Sequence, residues 1–320
     1  MKPKVMIAYP GFGDLAVETQ ILRQIDADIQ HIGNLSSPEA LEAVKQADAV
    51  MVTLQKVTAD IINSMERCRV ISRAGTGLDT IDIDAATAKG VWVAYVPDYS
   101  IDEVSAHAIA LLMVQARGIV PLVQNTRSGQ WDNMASGPVY RLKGQTLGVV
   151  GFGRIGQSTA EKGKGLGLNV IVYDPFLNQA AAERLGVRAV DLDTLARTSD
   201  YISLHTPLIE ETRHMVNADF LSKMKPTAYL INAARGPLID EQALLEAVRA
   251  KQIAGAALDV LAVEPIAPDS PLLKEVRILI TPHAAWYSEE AKIDLRTRCA
   301  EEVVRVLSGQ KPRSPVNEVK

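Results

Sequence analysis

The chain has 320 residues, 47% of them hydrophobic and 22% charged, proportions that support packed cores and exclude an intrinsically disordered protein. Its formal net charge is -4, and Lys and Arg are spread along the chain without runs, which leaves no footprint for a nucleic-acid backbone. The only cysteines, Cys68 and Cys299, lie far apart and outside any C-x-x-C or His/Cys cluster, so neither a disulfide framework nor a metal site is indicated and a reducing, cytoplasmic setting is expected.

The length favours two domains. The start, Met-Lys-Pro-Lys and then a short apolar run from Val5 to Tyr9, lacks the longer apolar stretch and cleavage site of a secretory signal, and no uncharged run reaches membrane-spanning length. From there short β-rich runs alternate with helical patterns: Val5–Ala8, Leu15–Ile25, Asp28–Ile32, Pro38–Lys45, Ala49–Leu54, Ala59–Met65, Val70–Ala74, Ile83–Lys89 and Val91–Val96. The strand runs are nearly continuously apolar, as in a parallel sheet buried on both faces. After Pro97 a helical pattern from Asp102 to about Gln115, with Val104, Ala108, Leu111 and Leu112 at helix spacing, marks the crossing to a second domain.

There a second alternation follows: Thr146–Val150, Ile155–Leu166, Val170–Tyr173, Ala180–Leu185, Tyr201–Leu204, Ala228–Asn232, Glu241–Ala250, Ala254–Leu258 and Ile278–Thr281. The amphipathic helix from Ser288 to Leu307 has no sheet of its own and is expected back on the first domain, followed by a loosely ordered tail from Gln310 to Lys320. The pattern thus predicts an α/β chain of two doubly wound parallel-sheet domains, Rossmann- or flavodoxin-like, with a cleft between them. One domain is formed by residues 1–98 plus 286–320, the other by residues 99–285.

Gly151-Phe152-Gly153-Arg154-Ile155-Gly156 follows the apolar run Leu147–Val150 and opens a helix, which is the setting a dinucleotide fingerprint requires. The glycines permit a tight turn, close backbone approach to a pyrophosphate and close helix–strand packing, with the helix N-terminus facing the phosphates. Asp174, at the end of the next strand run, can accept from the adenosine ribose hydroxyls and would repel a 2′-phosphate, so NAD is expected over NADP.

Three further segments end strand runs: Asn232-Ala233-Ala234-Arg235-Gly236, Asp259 to Pro265, and Thr281-Pro282-His283-Ala284-Ala285-Trp286. Ligands of open parallel sheets bind outside the carboxyl ends of strands, so all three can meet one cofactor. With the fingerprint, with Arg73-Ala74-Gly75-Thr76-Gly77-Leu78-Asp79 and with Leu204-His205-Thr206-Pro207-Leu208, they resemble the D-isomer-specific 2-hydroxyacid dehydrogenase family from Met1 to about Leu307.

The resemblance implies a catalytic set of Arg235, Glu264 and His283, with a small 2-oxo or 2-hydroxy acid as substrate. His283 would donate the proton to the reduced carbonyl oxygen, Glu264 would hold the imidazole, and Arg235 would fork onto the substrate carboxylate. Backbone N–H groups of Gly75, Thr76 and Gly77 would complete the carboxylate cradle. Asp259 would meet the nicotinamide carboxamide, while His205, Thr206, Pro207 and Ala233 would line the cofactor groove. The stretch from Asp102 to about Tyr140 would form a homodimer contact.

His107 reads as a buried or interface histidine, and His31 and His214 as solvated. The crossing segment Val104-Ser105-Ala106-His107 departs from the family's Val-Ala-Glu-His, losing a carboxylate and the contact it would make. Trp286 with Tyr287 and Ser288 resembles the C-terminal-binding-protein branch, whose best-known members are NAD(H)-sensing corepressors, so an NAD(H)-dependent binding module stands as the alternative to an enzyme. Substrate choice would rest on side chains such as Tyr9, Leu54, Tyr99, Trp286 and Tyr287, with Trp286 either an apolar wall or core packing.

Overall fold

A computed structural model describes residues 2–8, 13–33, 35 and 37–319. Tyr9 therefore lies outside the described residues. The chain divides into two compact units, Met1–Tyr99 with Ser288–Lys320, and Ser100–Tyr287.

The first unit alternates β1 (Lys4–Ala8), α1 (Ala16–Leu22), β2 (Asp28–His31), α2 (Pro38–Lys45), β3 (Ala49–Val52), α3 (Ala59–Ser64), β4 (Val70–Arg73), α4 (Ile83–Ala88) and β5 (Trp92–Tyr95). All pairings among these strands are parallel, in the order β2-β1-β3-β4-β5. Every residue of β3 and β4 is buried, which is why those runs read as continuously apolar and not alternating. Caps fix where the helices begin: Ser37 Oγ accepts from Ala40 N–H with Pro38 in the first helical turn, and Asp82 does the same for Ala85 at α4.

The second unit begins with α5 (Ile101–Ala116) and α6 (Ile119–Arg127) and continues as β6 (Thr146–Val150), α7 (Arg154–Gly165), β7 (Asn169–Tyr173), α8 (Gln179–Leu185), β8 (Arg188–Ala189), α9 (Leu192–Thr198), β9 (Tyr201–Leu204), α10 (Ala218–Lys223), β10 (Tyr229–Asn232), α11 (Glu241–Arg249), β11 (Gly255–Leu258) and β12 (Ile278–Ile280). Its seven strands are all parallel, in the order β12-β11-β10-β9-β6-β7-β8. The order reverses at β6, so the carboxyl ends of β6 and β9 flank the topological switch point where such sheets bind nucleotides. Among the described residues no single helix is long and apolar enough to cross a membrane; the bent pair α5 and α6 reaches that composition together, but Ala108, Leu111, Leu112 and Ala116 of α5 are core residues of this unit.

The chain returns to the first unit through α12 (Glu289–Leu307), begun by Ser288 Oγ accepting from Ala291 N–H. Leu295, Cys299, Val303 and Val306 are buried on a face that packs on β3 and β4, and Ser72 Oγ donates to Cys299 O at 2.8 Å. Truncating Leu295 to Ala there would cost about 2–5 kcal/mol.

The tail is not loosely ordered as its composition suggests. β5 is an edge strand, and residues 314–317 cover its open side: Tyr95 N–H donates to Ser314 O, Val316 N–H to Val93 O, and Val93 N–H to the Asn317 side chain. An unpaired strand edge is satisfied by the nearest extended segment, here the chain's own end.

Candidate active site

The nucleotide end of the second unit is shaped by close backbone approach. Gly151, at φ +90°, turns the chain out of β6, and a Cβ there would stand 2.7 Å from the His205 carbonyl beyond β9. At Gly156 a Cβ would stand 2.1 Å from Gly151 O, so the first turn of α7 closes on the loop only without a side chain. Gly153 differs, because a Cβ there would meet nothing within 4 Å and would project into open space at the head of α7. As N-cap it offers no side chain to the first-turn N–H groups of α7, the arrangement that suits a phosphate oxygen. This cradle at Gly153, Arg154 and Ile155 fits a dinucleotide pyrophosphate.

Asp174 follows β7 and braces the loop: Oδ2 accepts from Phe152 N–H at 2.7 Å and Oδ1 from Phe176 N–H at 2.8 Å. Beyond β9, the His205 Nε2 lies 2.9 Å from Ser203 Oγ, and burial pushes the imidazole down to about 4. Thr206 is buried with its hydroxyl toward Met215 Sδ, Pro207 is exposed beside it, and Ala233 lies half-buried past β10.

The reaction end is held by side-chain hydrogen bonds. His283 Nδ1 lies 2.6 Å from Glu264 Oε2, and Glu264 Oε1 accepts from Leu261 N–H at 2.8 Å. Partial burial would raise the Glu264 carboxyl, but the bonds from His283 and Leu261 outweigh it and hold the group below its ordinary value. An ionised carboxylate only accepts, so His283 Nδ1 carries a proton and Nε2 is the nitrogen left to exchange one. The two side chains are 26% and 30% exposed, open enough to meet a small substrate.

Arg235 follows β10 on a turn braced by the fully buried Asn232, whose amide donates to Arg235 O and whose Oδ1 accepts from Ala234 N–H. A Cβ at Gly236 would stand 1.9 Å from the Leu261 carbonyl carbon, so this turn is pressed against the one that carries Glu264. That second turn is also held by Glu241 Oε1, which accepts from Ala262 N–H at 2.6 Å. Asn232 was legible only as part of a matched segment, and Glu241 carries no signal in sequence because its partner is a backbone amide.

Asp259 is 1% exposed and heavily engaged: Oδ1 accepts from Thr281 Oγ1 at 2.5 Å and Ala284 N–H at 2.9 Å, and Oδ2 from Ala285 N–H at 2.9 Å. Burial would raise its carboxyl, yet these bonds and His107 hold it low. The same residue's backbone carbonyl accepts from His283 N–H at 2.8 Å. His283 has φ +52°, in the left-handed region, which costs a non-glycine residue on the order of 1–3 kcal/mol and persists only where neighbours over-determine it.

The His107 side chain is 25% exposed and hydrogen-bonded across to another element. Its Nε2 lies 3.0 Å from Thr281 Oγ1 and 3.4 Å from Asp259 Oδ1, pairings across long sequence separations that spacing does not reveal. His31 and His214 are exposed. Ala106 is exposed on α5, and the polar contact to α7 is made by its neighbour Ser105, which bonds Ser158 Oγ and Lys162 Nζ at 2.9 Å each. Trp286 is half-buried with its ring edge-on to Tyr287, centroids 5.7 Å apart.

In the first unit the Gly75-Thr76-Gly77 loop follows β4 and wraps a buried guanidinium. Arg73 Nε donates to Gly77 O at 3.0 Å and Nη1 to Ala74 O at 2.8 Å, while Gly75 N–H donates to Arg73 O. Leu54 is exposed.

The chain is similar to known proteins in sequence and fold. Residues 109–285 match the NAD binding domain of D-isomer specific 2-hydroxyacid dehydrogenases. Over 98% of its length the chain is 37% identical to the D-3-phosphoglycerate dehydrogenase of Archaeoglobus fulgidus, of which it spans 59%. It spans little more than half of the other D-3-phosphoglycerate dehydrogenases it matches as well. With the glyoxylate reductase of Korarchaeum cryptofilum it shares 38% identity, over 87% of this chain and 85% of that one. The solved D-lactate dehydrogenase of Aquifex aeolicus, complexed with NAD and lactic acid, superposes with a TM-score of 0.87 at 28% identity, over 96% of each chain. The chain belongs to the D-isomer specific 2-hydroxyacid dehydrogenase family.

Proposed function

We propose that the protein is an NAD-dependent oxidoreductase that interconverts a small 2-oxo acid and its D-2-hydroxy acid. The observation that carries this reading is the His283–Glu264 pair, ordered by hydrogen bonding, partly open, and on the same sheet edge as the glycine loop. Gly151, Gly153, Arg154, Ile155, Gly156 and Asp174 would hold NAD(H), which would supply or accept the hydride. His283 Nε2 gives its proton to the C2 oxygen during reduction and regains it from solvent. Glu264 fixes the ring so that Nε2, not Nδ1, faces the substrate. Arg235 forks onto the substrate carboxylate. Trp286 supplies an apolar wall for a short side chain.

The competing reading is an NAD(H)-sensing binding module; a complete proton-transfer pair favours the enzyme. Steady-state assays with NADH and a panel including glyoxylate, hydroxypyruvate and pyruvate distinguish them. Turnover is expected with at least one, and His283→Ala should lose about 10²–10⁴-fold in kcat while still binding NADH. Near wild-type turnover in that variant would reassign the acid.

We also propose a homodimer in a cytoplasmic setting. Trp131 and Met134 are 93% and 76% exposed in the segment after α6, with Ile119, Val123 and Tyr140 also open to solvent, an apolar surface that a second copy would cover. Light scattering should give about twice the chain mass, and a monomer at micromolar concentration would overturn it.

A further inference from the structure

We propose that His107 is a positioning residue for His283, acting through Thr281 and Asp259; the kinetic part of this proposal rests on the 2-oxo acid reductase reading above. The argument begins with protons. Thr281 has one hydroxyl proton, and at 2.5 Å from Asp259 Oδ1 it is donated to a carboxylate, which can only accept. The Thr281 oxygen must then accept from His107, so His107 Nε2 carries a proton. That N–H also lies 3.4 Å from Asp259 Oδ1, where its dipole steadies the carboxylate.

Asp259 also holds the turn that bears His283. Oδ1 takes Ala284 N–H, Oδ2 takes Ala285 N–H, and the backbone carbonyl takes His283 N–H. The histidine sits at φ +52°, a conformation it leaves unless these bonds hold it. Helix α5, which packs on β10 and β11, thereby reaches the proton-transfer group through one hydroxyl and one carboxylate. Without the His107 N–H the Thr281 oxygen loses its donor, the Asp259 carboxylate loses the dipole beside it, and the turn they hold relaxes. His283 Nε2 then moves from its working position, although no group that touches substrate has been altered.

Three variants test this: His107→Ala, His107→Gln, whose side-chain N–H reaches the place of Nε2, and Thr281→Val, which keeps shape and removes the hydroxyl. In the apoprotein the His283 imidazole carbon–proton NMR signal, identified by its loss in His283→Gln, should shift in the Ala and Val variants and return in the Gln variant. With NADH and the best oxo acid, kcat should fall about 10- to 100-fold in His107→Ala while both KM values stay within about twofold, and His107→Gln should recover most of the loss. An unmoved His283 signal with unchanged kcat in both His107→Ala and Thr281→Val overturns the proposal. So does a loss of kcat in His107→Ala that Gln does not repair. If the wild type reduces no oxo acid, the functional reading fails by itself, and the apoprotein signal still decides whether His107 positions His283.

Discussion

The two ends of the sheet edge in the second unit are built by opposite means. At the nucleotide end the decisive atoms are missing ones: Gly151 and Gly156 allow the loop, the β9 turn and α7 to approach within distances that any Cβ would violate. At the reaction end the decisive atoms are side-chain oxygens and nitrogens: Glu264, Asp259, Thr281 and His107 hold one histidine in a backbone conformation it would not choose. Steric exclusion tolerates no gradation, whereas a hydrogen-bonded turn loses its geometry by degrees. Binding should therefore fail abruptly at the first end, and chemistry should fade at the second.

The sharpest way to break this comparison sets two glycines against each other. Gly156→Ala puts a methyl 2.1 Å from Gly151 O, so both fold and binding should suffer, by about 1–3 kcal/mol or more in stability, with NADH binding lost. Gly153→Ala meets no protein atom within 4 Å, so its melting temperature should stay near wild type while NADH binding is still lost, because the methyl occupies the phosphate's place. Fluorescence titration with NADH and thermal melts read both. If Gly153→Ala bound NADH normally, the cradle would lie elsewhere.

A smaller effect is expected at Asp174, whose oxygens hold Phe152 and Phe176 N–H and would turn to the ribose on binding. Asp174→Ser should weaken NADH binding about tenfold, on the order of one or two charge-assisted bonds, and narrow the preference over NADPH. A wild type that prefers NADPH would refute the assignment.

These contrasts explain what sequence could reveal. Strands buried on both faces announce themselves as apolar runs, and the glycine fingerprint is legible because its residues are neighbours in the chain. Among the helices of six or seven residues, α3, α4 and α8 are legible in the sequence while α9 and α10, capped by Asp191 and Asn217, escape, so shortness alone does not decide which are seen. The reaction end is legible only through the family resemblance of its segments, which implies Arg235, Glu264 and His283, whereas the link between His107 on α5 and Asp259 just past β11 joins residues that only the folded sheet brings together.

The smallest predicted effect separates the two ends by pH. Burial holds His205 down to about 4, against an ordinary value of about 6.5 in an unfolded chain. Between those values the unfolded chain binds a proton that the folded chain refuses, so stability rises with pH across the window and is lost on acidification through it. At pH 5 the loss should be on the order of 1–2 kcal/mol, the lower part of the range reflecting the ring's partial exposure. Glu264 and Asp259 are carboxyls held below their ordinary values of 4.5 and 3.8, so their contribution is intact above those values and is lost only as pH falls further. Between about pH 6.5 and 5, His205 therefore makes the nucleotide end a source of acid sensitivity, while these two carboxyls do not contribute. Melting curves of wild type and His205→Asn across that interval should diverge, with the variant the flatter of the two. Equal slopes would mean that His205 takes up its proton as readily in the folded protein as in the unfolded one.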